Sequence, residues 1–316
     1  MLKDIFASSQ IFQNFLSSVR SGKALHTHLL ISKDATSAFE MAKLFAQALL
    51  CKDMCGQCQN CQKVISLSHP DLKIYPESNK LLVEDSKKIV EESAIKPIFS
   101  DKKVFIIKDI DASTIEAQNK LLKSLEEPNS SIFYILTTAN PQKVLPTILS
   151  RCNKLEIGGL SEEQLSMLVE GDNIELATVL GGGYLSKTIS LAKKSNLFEL
   201  ASLAMGLLKD TSSSKEALNW SKRLIDVKTD FSLVLEIFSI AIEDVIFIKT
   251  QKEDEIRLKM FEQELKMAAE NLSIKCLISL SPLLTKAQRE LDYNVNLSLV
   301  ADNLVMNILE VKYLCK

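Results

Sequence analysis

Four cysteines, Cys51, Cys55, Cys58 and Cys61, lie within eleven residues, spaced C-x3-C-x2-C-x2-C. Four thiolates this close suit a closed tetrahedral zinc site, and Gly56 permits the tight turn that lets consecutive sulfurs converge. The alternatives are four unrelated thiols, a redox pair at one C-x2-C unit, or an iron–sulfur cluster. With every coordination position filled by protein, a zinc ion here has no room for substrate and is structural. His69 is not assigned to it, and Cys152, Cys276 and Cys315 read as buried or incidental thiols.

A second place where chemistry is expected is the loop Ser32, Lys33, Asp34, Ala35, Thr36, Ser37, Ala38 and Phe39, between an apolar run and a helical stretch. A phosphate-binding loop needs glycines, so that backbone N–H groups can approach the phosphates, and a lysine followed by a hydroxyl residue. No glycine occurs between Lys23 and Gly56. With the helix entry aligned, Ala38 stands in the place of the lysine and Phe39 in that of the hydroxyl residue. Lys33 sits at the loop's start without a cradle. No ATP is expected in this site. Asp109 and Asp111 follow an apolar run as magnesium-binding carboxylates do, yet the usual Asp-Glu position reads Lys108-Asp109 or Asp109-Ile110. They are expected to begin a turn or cap a helix.

These residues need a frame. Apolar runs of strand length at 27–32, 73–75, 103–108, 132–137 and 154–157 alternate with helical patterns at 10–21, 35–50, 84–95 and 113–125. Runs that are apolar throughout, separated by helices, predict a parallel sheet covered on both faces: an α/β domain of nucleotide-binding type ending near residue 158. Gly158-Gly159 marks the change, and Ser161 to Gln164 fits a capping box. Beyond it the pattern is helical, with Gly181-Gly182-Gly183 as a turn and a polar run at 210–214. The expected division is 1–158, with the cysteine module at 51–61, then a small helical domain at 159–198 and an all-helical one at 199–316.

The 316 residues carry 38 Lys+Arg against 40 Asp+Glu, a net charge of −2. That balance excludes a protein gripping nucleic acid over its whole surface, though not one with few or shared contacts. The N-terminal residues show no secretory pattern. Glu236, Glu243 and Asp244 break the most apolar stretch, 231–248, so it reads as a core helix and not a membrane span. The expected compartment is the cytoplasm, with no membrane partner.

One segment is more specific. Asn119-Lys-Leu-Leu-Lys-Ser-Leu-Glu126-Glu127-Pro128, then Phe133-Tyr-Ile-Leu-Thr137-Thr138, then Leu145-Pro-Thr-Ile-Leu-Ser150-Arg151-Cys152, resembles the bacterial clamp-loader ATPases of the AAA+ class. His26-x-His28, the four cysteines, His69-Pro70-Asp71 and Asn294-Val-Asn296 extend the likeness over nearly the whole chain, strongest from 26 to 157 and weakest from 190 to 285. The resemblance implies an AAA+ domain with an inserted zinc module, a small helical lid and a C-terminal collar through which five subunits form a ring. Partners implied are the gamma/tau and delta subunits, with the sliding clamp and primed DNA reached through the complex.

Ser150, Arg151 and Cys152 match the family's Ser-Arg-Cys motif, whose arginine reaches into the ATP site of the adjacent subunit. On its own, such an arginine could equally pair with a local carboxylate. Thr138 matches the sensor position, with capping or packing as the plainer role. ATP-binding relatives carry an arginine after the glycine turn; Gly182-Gly183-Tyr184-Leu185-Ser186-Lys187 has none. The resemblance thus implies a subunit that does not hydrolyse ATP itself, a stator donating Arg151 during clamp loading in DNA replication. The alternatives are a hydrolysing gamma/tau-like motor subunit, which would need the missing glycines and lysine, or a zinc-stabilised adaptor outside replication.

Overall fold

A computed structural model of the protein describes residues 1–77, 80–209 and 214–315, with 214 and 215 in backbone only; the polar run expected at 210–214 therefore falls almost wholly outside the described residues. The chain forms two compact units, Met1–Val169 with Gly183–Lys187, and Glu170–Gly182 with Thr188–Lys316.

The first unit opens with α1 (Leu2–Ser8) and α2 (Gln10–Arg20). It then alternates strands and helices: β1 (Thr27–Ile31), α3 (Ala35–Leu50), α4 (Gln59–Ile65), β2 (Leu72–Tyr75), α5 (Val83–Ser93), β3 (Lys103–Ile107), α6 (Ile115–Glu126), β4 (Ile132–Thr138), α7 (Pro146–Leu149), β5 (Asn153–Glu156) and α8 (Glu162–Leu168). Five strands pair in the order β2-β3-β4-β1-β5, every neighbour parallel. Parallel neighbours cannot be joined by hairpins, so each connection crosses over, mostly through a helix.

Every residue of β3 and of β4 is buried. Because successive side chains point to opposite faces, both faces of the sheet are covered, which is why these strands are apolar but for Lys103 at the start of β3 and Thr137 and Thr138 at the end of β4. Leu29, Phe105, Ile107, Tyr134 and Leu136, at alternate positions on their strands, share a core with Ile89 of α5, Leu121 and Leu125 of α6 and Ile148 of α7. Helix α3 packs on β1, β3 and β4 and buries Met41 and Phe45 completely. The architecture is the expected α/β one, a parallel sheet with helices between its strands, and the five strands lie within a residue or two of the predicted runs.

Register brings the strand ends together. Ile31 of β1 lies beside Thr138 of β4, and Ser32 N–H donates to the Thr138 carbonyl at 3.0 Å. In open α/β sheets the crevice for ligands lies beyond the carboxyl ends of such strands. The predicted capping box is present before α8: Ser161 N–H donates to Gln164 Oε1 at 3.0 Å and Gln164 N–H to Ser161 Oγ at 3.2 Å.

The second unit is helical. α9 (Ile174–Gly181) stops where Gly182 takes a left-handed conformation, φ 58°, open to glycine without steric cost. α10 (Leu185–Ala192) starts within the Gly183–Lys187 segment of the first unit. There follow α11 (Leu197–Lys209), α12 (Ser214–Asp226), α13 (Phe231–Lys249), α14 (Glu262–Asn271), α15 (Ile274–Asp292) and α16 (Leu297–Leu314). α13, the apolar stretch read as a core helix, packs against α11, α14 and α15, and α16 against α12 and α15. Its Asp244 is fully buried and accepts N–H bonds from Leu258 at 2.8 Å and Arg257 at 3.2 Å. Among the described residues, no helix is long and apolar enough to cross a membrane.

Candidate functional site

The four cysteines are brought together. Cys51 ends α3, Cys58 caps the start of α4, and Cys61 follows one turn later. Between them the chain turns through Met54 at φ 51° and Gly56 at φ 72°, the glycine supplying a conformation most residues avoid. All four sulfurs lie within 4.8 Å of one another, Cys51 to Cys55 at 3.9 Å and Cys51 to Cys58 at 3.7 Å. A tetrahedron drawn at the zinc–sulfur bond length has edges of about 3.8 Å. The donor set and spacing therefore fit a metal ion held by four thiolates.

Supporting contacts orient the sulfurs. Cys58 N–H donates to Cys55 Sγ and Cys61 N–H to Cys58 Sγ, both at 3.4 Å, and Gln47 Nε2 donates to Cys61 Sγ at 3.3 Å. Backbone N–H groups of Cys58 and Gln57 pull the Cys55 thiol down to about 6, whereas burial pushes Cys61 up to about 12. A buried thiolate such as that of Cys61 needs a cation beside it, which a bound metal supplies. His69 stays out of the cluster. Its Nδ1 accepts the Asp71 N–H at 3.1 Å, which leaves Nε2 protonated toward Asn60 Oδ1 at 3.3 Å.

The loop entering α3 is sixteen residues from Cys51, about 24 Å along the helix at 1.5 Å per residue. The cysteine cluster is thus remote from any chemistry at the loop. Lys33 is exposed, while Ala38, the residue expected to stand in a phosphate-binding lysine's place, is buried. Phe39 lies below two cations, with Lys43 Nζ 5.2 Å and Lys108 Nζ 5.5 Å from its ring centroid. Ala35, Thr36, Phe39, Lys108, Asp109 and Thr137 line an open cavity of about 240 Å³.

Asp34 caps α3 and is 2% exposed. Its carboxylate accepts from Ser37 N–H at 3.2 Å and from the Ser37 hydroxyl, and from Ser186 N–H at 3.2 Å and the Ser186 hydroxyl. Burial raises its pKa, but these hydrogen bonds outweigh it and hold the group below the ordinary carboxylate range. A negative charge therefore already occupies the N-terminus of α3, the kind of place where folds of this type bind anions.

At the ends of β3 and β4, Asp109 takes a left-handed conformation and donates its N–H to Thr137 Oγ1 at 2.9 Å. Burial, then the neighbouring Asp111, raise the pKa of Asp109. Thr138, fully enclosed, donates its hydroxyl to Asp111 Oδ1 at 2.8 Å, and Asp111 also accepts from Ala139 and Asn140 N–H groups. The two acidic residues do begin a turn, and Asp111 ties β3's end to β4's.

Arg151 lies just past α7, with Ser150 as that helix's C-cap. Nη1 donates to the Thr147 carbonyl at 2.7 Å and Nη2 pairs with Glu126 Oε1 at 2.5 Å; Ser150 Oγ donates to the same carbonyl at 3.0 Å. The arginine is a third exposed and its partner more so. Sequence reasoning missed Glu126 as this partner. It also missed Asp71, fully buried, which accepts Ile98 and Phe99 N–H at 2.7 Å and Ser100 N–H at 2.8 Å.

Comparison with known proteins bears on the whole chain. A family model described as DNA polymerase III, delta subunit, matches residues 7–161. The DNA polymerase III subunit delta' of Bacillus subtilis is 25% identical, with 95% of this chain and 96% of that protein covered. The delta' subunit of Pseudomonas aeruginosa is 32% identical over 45% of this chain and 46% of its own length. A tau/gamma subunit of Haemophilus influenzae is 29% identical over 52% of this chain, which spans only 24% of that longer protein. The likeness first carried by the Ser-Leu-Glu126-Glu127-Pro128 and Ser150-Arg151-Cys152 segments thus runs nearly the length of the chain, which is similar to DNA polymerase III delta' subunits.

Proposed function

We propose that this chain is the delta' subunit of a DNA polymerase III clamp loader, a stator that hydrolyses no ATP itself and donates Arg151 to the ATP site of an adjacent motor subunit. The observation that carries the reading is the loop before α3: it lacks the phosphate-binding residues and holds the Asp34 carboxylate where a phosphate would sit. The exposed guanidinium of Arg151 complements it. A planar, permanently charged group can stabilise charge spread over transferring phosphate oxygens. Its pairing with Glu126 lies at the surface, so an approaching polyphosphate competes with that carboxylate on favourable terms.

In this role residues 1–158 form the AAA+ core, 159–198 the lid and 199–316 the collar that joins gamma/tau and delta subunits in a ring of five. Ser150 shapes the turn that presents Arg151, and Thr138 stands at the sensor position with its hydroxyl engaged by Asp111. The cysteine cluster holds a structural zinc ion, the sliding clamp and primed DNA are met through the complex, and the compartment is the cytoplasm.

Two measurements test the reading. Fluorescent Mg-ATP titration of the purified chain is expected to show no saturable binding, and mixing with gamma/tau and delta subunits is expected to give one assembly whose hydrolysis needs this chain. Unaided turnover of ATP, or failure to join that assembly, overturns it.

A further inference from the structure

We infer that Asp34 is an internal anion standing in for a bound phosphate, joining the start of α3 to the start of α10 and so holding the Gly183–Lys187 segment in place without a ligand. The first N–H groups of a helix have no partner within it, and they carry partial positive charge. In nucleotide-binding folds a ligand phosphate answers that need. An ordinary capping carboxylate serves its own helix alone.

Asp34 serves two. One oxygen, Oδ2, accepts the N–H and hydroxyl of Ser37 on the first turn of α3. The other, Oδ1, accepts the N–H and hydroxyl of Ser186, the second residue of α10 and 152 positions away. Four donors converge on one carboxylate that is almost wholly enclosed. Two helix N-termini brought this close repel each other unless an anion lies between them, and the chain supplies its own.

The rest of the segment is seated closely. Leu160 N–H donates to the Gly183 carbonyl at 2.9 Å. A Cβ on Gly183, whose φ is +87°, would come within 3.1 Å of the Gly159 Cα. Asp34 is therefore a positioning residue for a segment that, in the likeness to ATP-binding relatives, follows the glycine turn. This inference extends the stator reading by naming what replaces the missing ligand, and it rests on that reading only in that no nucleotide phosphate competes for the place.

The test is hydrogen exchange by mass spectrometry on the full chain, following peptides that cover 183–187, in wild type, Asp34→Ala and Asp34→Asn, with and without inorganic phosphate. Loss of an interaction of helix-cap strength speeds exchange there by about tenfold in Asp34→Ala. Asp34→Asn, which keeps the shape and loses the charge, falls between it and wild type and carries the test if the alanine variant does not fold. Millimolar phosphate is expected to slow exchange in the variants and leave wild type unchanged. Exchange at 183–187 equal to wild type in both variants overturns the inference, as does phosphate that protects wild type equally or the variants not at all. The two readings fail separately: unaided ATP turnover by wild type sinks the stator, and unaltered exchange sinks the internal anion.

Discussion

Replacing Arg151 by alanine separates what this residue does for its own chain from what it does for a neighbour. Among the described residues it makes one ion pair, to Glu126, and short contacts to Thr147 and Ser150. Side-chain exposures of 33% and 44% put the pair among those worth roughly 0.2–1 kcal/mol after solvent screening. In a unit of this size 1 kcal/mol shifts Tm by about 2–4 °C. Arg151→Ala is thus expected to melt no more than about 4 °C below wild type and to join the assembly normally. At the neighbour's ATP site, an arginine of this kind contributes about 10³-fold or more to hydrolysis. On the proposed reading only the site next to Arg151 is affected, so a ring with several ATP sites loses that site's share of turnover and keeps the rest. Phosphate release from the reconstituted loader, with clamp and primed DNA, reads this directly. Arg151→Lys restores little, because an ammonium lacks the planar fork, and Glu126→Gln leaves hydrolysis at the wild-type level. A melting loss of 8 °C or more would make the arginine structural, and unchanged hydrolysis in an intact complex would remove its role in trans.

Three further outcomes are expected. Cys58→Ser lowers bound zinc from near one equivalent to below half, measured by elemental analysis, and a chelator that destabilises wild type leaves this variant's melting unchanged. Asp71→Ala leaves the N–H groups of Ile98, Phe99 and Ser100 without their acceptor and costs about 3–5 kcal/mol in urea unfolding; a loss under 1 kcal/mol contradicts the hydrogen-bond account. His28 is buried, its Nε2 bonded to the Leu25 carbonyl at 2.9 Å, and burial pulls its pKa down from 6.5 to about 4. Between those values the unfolded chain binds the extra proton, so stability is full above pH 6.5 and falls by about 3 kcal/mol as pH drops toward 4. His28→Phe flattens that part of the pH–stability curve; an undiminished slope assigns it to other groups.

Much of this was legible in the sequence because it is local. The cysteine spacing, the missing glycines and the apolar runs each concern residues within one or two elements, where backbone geometry ties position to environment. Ser161 and Gln164 form their box three residues apart, and Gly182 ends α9 by its own conformational freedom. Asp34, by contrast, is just one residue of the loop before α3 until the fold brings Ser186 to it. Asp71 and the Ile98–Ser100 amides, 27 to 29 positions apart, are hidden for the same reason. The Arg151 partner could be anticipated only as some carboxylate, since nothing local points to Glu126, 25 residues earlier in the chain. Periodicity reports which face of an element is apolar; it carries no information on which polar groups meet across elements.

The Asp34 contact has a consequence for descent. Bringing glycines and a lysine into the loop would not open a phosphate pocket, because an incoming phosphate would meet a resident carboxylate of like charge. Removing the carboxylate first would loosen the segment it secures, with nothing yet bound to replace it. On the proposed reading each such step is harmful until the others are in place, so a site filled by its own carboxylate behaves as a ratchet.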